Sequence, residues 1–238
     1  MATYRLYWYP GSCARMPLVA LLEIGAPFES IVTDRVNGDA EFSKINEKEQ
    51  VPALVTDDGV LTENAAIQTY LARRHPAAGL LPAGDLESEV RALELLSWFA
   101  SGLHPLVRQL RLPRWYSADP AAHASLQQMA QQRLTAAFAL LDKRLAGREW
   151  LFDRWSLVDV HLLWLWFRAT GSGLPGSGFP NLAEHAARCE AWPAVATALA
   201  MEERELQRLR DANLLPDWLP GFQAGHAPAF ARRTPSRD

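Results

Sequence analysis

The chain has 238 residues, 49% of them hydrophobic and 21% charged, which suits one large or two small globular domains and excludes a disordered polypeptide. Its formal net charge of -3 argues against nucleic acid as a partner, because phosphate binding asks for a concentrated basic surface.

Thr3–Tyr9, rich in aromatic residues, predicts a strand that Pro10, Gly11 and Ser12 end. From Ala14 the apolar residues Met16, Leu18, Val19, Leu21, Leu22 and Ile24 recur at helical spacing, with Gly25 as the C-terminal cap. Phe28–Thr33 reads as a second strand and Gly38–Lys44 as a short helix. Val51–Thr56 and Val60–Leu61, joined through Asp57, Asp58 and Gly59, read as a hairpin. A helix over Glu63–Arg74 follows, with Ala66, Ile67, Tyr70 and Leu71 on one stripe. This order, strand-helix-strand and then strand-strand-helix, matches a thioredoxin-like module. A Pro- and Gly-rich linker comes next, and beyond it helices are expected over Glu87–Leu112, Ala121–Ala146, Leu157–Thr170, Ala183–Trp192 and Ala194–Asp211. Ser156 and Asp159 have the spacing of a capping box, with Trp155 and Val160 at the two staple positions. The expected fold class is α+β then all-α: a thioredoxin-like domain (1–76), a linker (77–86), a helical-bundle domain (87–212) and an extended C-terminal tail (213–238).

Met1–Tyr9 has no basic segment before an apolar run and does not read as a signal peptide. The most apolar stretch, Val158–Phe167, is short for a bilayer and interrupted by His161. Two cysteines, Cys13 and Cys189, make no disulfide scaffold, so a cytoplasmic setting without membrane attachment is expected. The histidines show no metal-ligand spacing.

Three segments carry a resemblance: Tyr9–Ala14 (Tyr-Pro-Gly-Ser-Cys-Ala), Asn46–Leu54 with Gln50, Val51 and Pro52, and Leu61–Ile67 with Thr62, Glu63 and Asn64. Together they resemble the glutathione S-transferases, and Cys13 with His104 before Pro105 is most similar to the bacterial beta class. The resemblance covers roughly residues 3–205 and implies glutathione as co-substrate, a small hydrophobic electrophile as second substrate, and a two-fold homodimer. It implies a cis peptide before Pro52 and a Val51 backbone paired with the cysteinyl unit of glutathione as an added strand would be. Glu63 and Asn64, at a helix start suited to anions, would hold the γ-glutamyl ammonium and carboxylate, with plain helix capping as the alternative. Lys48 could meet the glycyl carboxylate, opposed by neighbouring Glu47 and Glu49. Asn64 departs from the family's usual Ser.

The residue that holds the glutathione sulfur stays open among Cys13, Ser12 and Tyr9. Cys13, before a helix and two residues from Arg15, is expected to have a depressed thiol pKa, and His104 is expected to move protons near neutral pH. The second cysteine of a dithiol site would fall at Met16 and is missing. Trp98 and Trp115 are expected to line an apolar acceptor pocket, while Trp150, Trp155, Trp164 and Trp166 belong to the helical core. Two alternatives to conjugation remain: glutathione-dependent thiol exchange or reductive cleavage through Cys13, and a non-catalytic binding or regulatory role.

Overall fold

The computed structural model describes residues 4–34 and 37–215. Four strands, β1 (Tyr4–Trp8), β2 (Phe28–Val32), β3 (Ala53–Thr56) and β4 (Gly59–Thr62), form one sheet of order β2-β1-β3-β4. β1 runs parallel to β2, and β1–β3 and β3–β4 are antiparallel. The parallel pair encloses α1 (Arg15–Ile24), whose last turn closes on Gly25 in the left-handed region at φ 68°. α2 (Ala40–Ile45) precedes β3, and α3 (Asn64–Arg74) follows β4. This is the expected thioredoxin-like order.

The rest of the described chain is helical: α4 (Leu86–Trp98), α5 (His104–Arg111), α6 (His123–Leu145), α7 (Leu157–Thr170), α8 (Pro180–Glu190) and α9 (Pro193–Asp211). None of the described helices is long and apolar enough to cross a membrane. Residues 216–238, most of the expected tail, lie outside the described residues.

Two expectations need correction. Glu87–Leu112 is not one helix: Phe99–Leu103 forms a wide turn in which the His104 N–H bonds back to the Phe99 carbonyl, five residues earlier. Gly102 sits within that turn, where a Cβ would come within 2.7 Å of Trp98 Cδ1. On α3, Ala66 faces solvent while Gln68 is buried with Ile67 and Leu71, because that face packs on α1.

One hydrophobic cluster runs from Tyr4, Leu6 and Trp8 through α1 and α3 into the helical bundle as far as Ala198. α1 packs on α3, α7 and α9. A bidentate ion pair adds to this contact: Arg15 on α1 donates from Nε and one terminal nitrogen to Glu202 on α9 at 2.9 and 2.7 Å, with both side chains buried. At the start of α7, the Asp159 carboxylate is fully buried and accepts four hydrogen bonds: from the N–H groups of Leu151 and Ser156, the Ser156 hydroxyl, and His185 Nε2, each at 2.9 Å. The expected capping box is present, and Asp159 also ties α7 to α8 and to the 151 loop.

Candidate functional site

A cleft of about 300 Å³ lies between the sheet domain and the bundle. Of the residues singled out from the sequence, Tyr9, Ser12, Cys13, Lys48, Gln50, Val51, Pro52, Glu63, Asn64, His104 and Trp115 line it, and Trp98 does not.

The first wall comes from the turns at the ends of β1, β3 and β4. The Val51–Pro52 peptide is cis. Asn46 Nδ2 donates to the Gln50 carbonyl at 2.7 Å and braces the loop that leads into it. Glu63 caps α3 with φ 72° and no side-chain capping bond. Such a left-handed backbone costs a non-glycine residue about 1–3 kcal/mol and concentrates at ligand-holding sites. Asn64 behind it is buried, and its Oδ1 has no hydrogen-bond partner. The free end of α3 therefore opens on the cleft. Lys48 Nζ donates to Thr62 Oγ1 at 2.8 Å and to Glu63 Oε1 at 2.5 Å across solvent-exposed space. Glu47 and Glu49 are exposed and do not line the cleft, and the Glu49 carboxylate accepts from the Ser43 hydroxyl.

Cys13 differs from its expected chemistry. Its thiol donates to the Val51 carbonyl at 3.4 Å. Burial pushes its pKa up to about 11, and a side-chain hydrogen bond from Asn64 and the positive charge of Arg108 only partly offset this. The helix start expected to stabilise a thiolate lies further on, at Arg15, and the Arg15 guanidinium is turned into Glu202. Ser12 accepts from the Ala14 N–H at 3.2 Å, and the Gly11 carbonyl accepts from Trp164 Nε1 at 3.1 Å, which fixes the loop against α7. The Tyr9 ring packs on Leu206 and Leu209 of α9.

His104 also departs from expectation. Its ring meets Trp164 edge-on at 4.7 Å, and none of the hydrogen bonds among the described residues joins it to Cys13. Burial, then Arg108, Arg168 and Arg111, pull its pKa down to about 3. At neutral pH it is an uncharged imidazole and does not titrate as the sequence suggested.

The helical wall is only partly apolar. Ala100, Pro105, Val107, Leu112, Trp115 and Trp164 line it together with His161, Arg108, Arg111 and Arg168. Trp115 stands at the rim, half-exposed, with the Arg108 guanidinium 5.6 Å from its ring centroid. Trp98 lies outside the cleft, packed beside Phe99 and over Gly102, and Trp164 takes the place expected of it. The three arginines were not anticipated. His104, Arg108 and Arg111 recur at i, i+4 and i+7, a spacing that puts them on one face of α5 and was legible in the sequence.

A thioredoxin-like sheet that opens an uncapped helix start onto a cleft, with a helical bundle as the facing wall, defines a two-domain enzyme of the thioredoxin-fold class. Residues 2–73 match the family model for the glutathione S-transferase N-terminal domain, and residues 106–193 match that for the C-terminal domain. Glutathione S-transferase GstA of Escherichia coli O157:H7 is 31% identical over 209 residues, spanning 83% of this chain and 98% of that one. A sphingomonad glutathione S-transferase solved with glutathione superposes with a TM-score of 0.74 at 32% identity, covering 84% of this chain and 98% of that chain. The beta-class glutathione S-transferase of Sphingomonas chungbukensis gives 0.74 at 31% identity over 83% and 98%. The chain belongs to the glutathione S-transferase family, enzymes whose co-substrate is glutathione.

Proposed function

We propose that this protein binds glutathione along the first wall of the cleft and transfers it, through sulfur, to a small electrophile seated against the helical wall. One observation carries the reading: the Val51–Pro52 turn, the open start of α3 and the Cys13 thiol converge on a single cleft. The Val51 backbone suits the cysteinyl peptide unit, which would pair as an added strand does. The start of α3 with Asn64 suits the γ-glutamyl carboxylate, and Glu63 suits the ammonium beside it. Lys48 suits the glycyl carboxylate; its present bond to Glu63 is exposed, where ion pairs are worth about 0–1 kcal/mol, so a ligand can replace it cheaply.

Cys13, protonated at neutral pH, acts as a donor rather than a nucleophile. Turned from the Val51 carbonyl to the glutathione sulfur, its S–H would favour the thiolate of the co-substrate, as a hydroxyl would, with Ser12 and Tyr9 lining the same end of the cleft. Thiol exchange run by Cys13 itself would need the thiolate that burial opposes. In this reading residues 1–76 hold glutathione, 77–86 link, and 87–212 hold the acceptor with Trp115 at its rim. The exposed apolar row Leu86, Val90 and Leu93 on α4 supports a homodimer.

Calorimetric titration with glutathione, paired with turnover of chlorodinitrobenzene, tests the proposal. Binding with turnover is the expected result. Binding without turnover would make the protein a glutathione-binding or regulatory member of the family, and no binding would overturn the assignment of the first wall.

A further inference from the structure

The cleft holds four cations, Lys48, Arg108, Arg111 and Arg168, against one carboxylate, Glu63. Lys48 and Glu63 already pair on the glutathione side, which leaves Arg108 and Arg111 as the cations to account for on the α5 face of the helical wall. Among the described residues neither Arg108 nor Arg111 meets a carboxylate: every ion pair formed there involves other groups, and the contact of Arg108 is the face of Trp115. Arg111 is half-buried, and loss of hydration pulls its pKa to about 10. A guanidinium taken from water without a counter-ion is costly, and a bound anion relieves that cost.

A second, independent observation lies in the same wall. His161 is 1% exposed, lines the cleft, and has no hydrogen-bond partner at either ring nitrogen. Packed between Phe99 and Trp164 and held neutral, with a pKa near 3, it offers one donor and one acceptor to a ligand. A wall built for a purely apolar acceptor would contain neither feature.

We infer that the electrophilic acceptor carries a carboxylate, received by the forks of Arg108 and Arg111, while its apolar body rests on Val107 and Trp115. The inference rests on the cleft being a glutathione-transfer site. Two parallel N–H donors on a planar guanidinium match a carboxylate better than a neutral acceptor group. Arg108 and Arg111 lie about 6 and 10 Å beyond His104 along α5, on the same face, so both forks serve one end of the helical wall. Lys48 is not needed for this anion, because the glycyl carboxylate of glutathione occupies it.

The test compares chlorodinitrobenzene with a chlorodinitrobenzoate of the same ring pattern. In either, the glutathione sulfur forms the C–S bond, chloride leaves with the C–Cl electron pair, and the thiol proton goes to buffer. The expected result is a higher kcat/KM for the benzoate. In Arg111→Gln and Arg108→Gln the ratio of kcat/KM for benzoate over neutral acceptor should fall about tenfold, the loss of one charge-assisted hydrogen bond, with partial recovery in Arg111→Lys. A ratio unchanged in both variants would overturn the inference. So would an equal rise in the glutathione dissociation constant, which would assign the arginines to the co-substrate. Binding of unreactive dinitrobenzoate in the presence of glutathione, measured by calorimetry, provides a readout that does not depend on turnover. If no acceptor is turned over but dinitrobenzoate binds in an arginine-dependent way, the transferase reading fails and the anion site stands. If dinitrobenzoate binds no better than dinitrobenzene, the anion site fails whatever the turnover.

Discussion

At the start of α3, Glu63 holds a left-handed backbone, makes no capping bond and leaves the Asn64 amide oxygen buried without a partner beside the cleft. At the start of α7, Ser156 and Asp159 close on each other, and the carboxylate collects two further donors from Leu151 and His185 in full burial. Both helices open with an acid beside a small polar residue, and the electrostatics of a helix N-terminus favour an acid at each. The difference is where the acid lies. Asp159 stands at the third helical position and can reach back to the cap, whereas Glu63 is the cap itself and its side chain points outward to Lys48. A helix start satisfied by its own side chains is architecture; one left unsatisfied next to a cleft is a place for a ligand.

Three experiments sharpen or break that contrast. Asp159→Ala should have the largest effect. It strands the donors of Leu151, Ser156 and His185 in the core and should cost about 3–5 kcal/mol in urea unfolding, while the folded fraction keeps its glutathione affinity. Ser156→Ala, which removes one donor, should cost about 1 kcal/mol. If Asp159→Ala weakened glutathione binding more than it weakened the fold, the division of labour would collapse.

Cys13, just ahead of α1, is the next case. A thiol pushed up to about 11 is almost wholly protonated at neutral pH, so its alkylation by iodoacetamide should be on the order of a hundredfold slower than that of a free thiol of pKa ~8.5. The sign follows from the shift: the rate should keep rising tenfold per pH unit above the range where an ordinary thiol levels off. Fast alkylation at neutral pH would return Cys13 to the thiolate role.

Glu63→Ala should leave the melting temperature unchanged, because the side chain is 70% exposed, and lower glutathione affinity about tenfold by titration calorimetry. An unchanged dissociation constant would show that the open start of α3 does not receive the ligand.

The parts of the molecule legible in the sequence are those governed by local rules. The aromatic-rich first strand, the Gly25 cap and the Ser156–Asp159 spacing act over a few residues and read directly. The first wall was legible for the same reason, since Val51–Pro52 and Glu63–Asn64 are adjacent pairs. What was missed depends on burial, which sequence patterns do not quantify. Cys13 was expected to have a depressed pKa and His104 to titrate near neutral pH, and desolvation shifts the thiol up and the imidazole down instead. The break at Phe99–Leu103 was signalled by Gly102 and Pro105, but a wide turn keeps the apolar residues at near-helical spacing and masked it. Arg168 is twelve residues past the cap in a mostly apolar helix, and only tertiary packing brings it round to the cleft beside Arg108 and Arg111.

The Arg15–Glu202 pair joins the helix that follows the Cys13 loop to the last described helix of the chain, and the remaining Arg15 nitrogen has no partner to fall back on. Lifting α9 would strand a guanidinium in the core, at a cost of about 3–5 kcal/mol. The free energy that orders the Cys13 loop is thus held jointly with residues nearly two hundred positions away. Linkage makes the dependence mutual: a ligand that clamps the loop must suppress fraying of α9 to the same extent that a docked α9 tightens the ligand's grip.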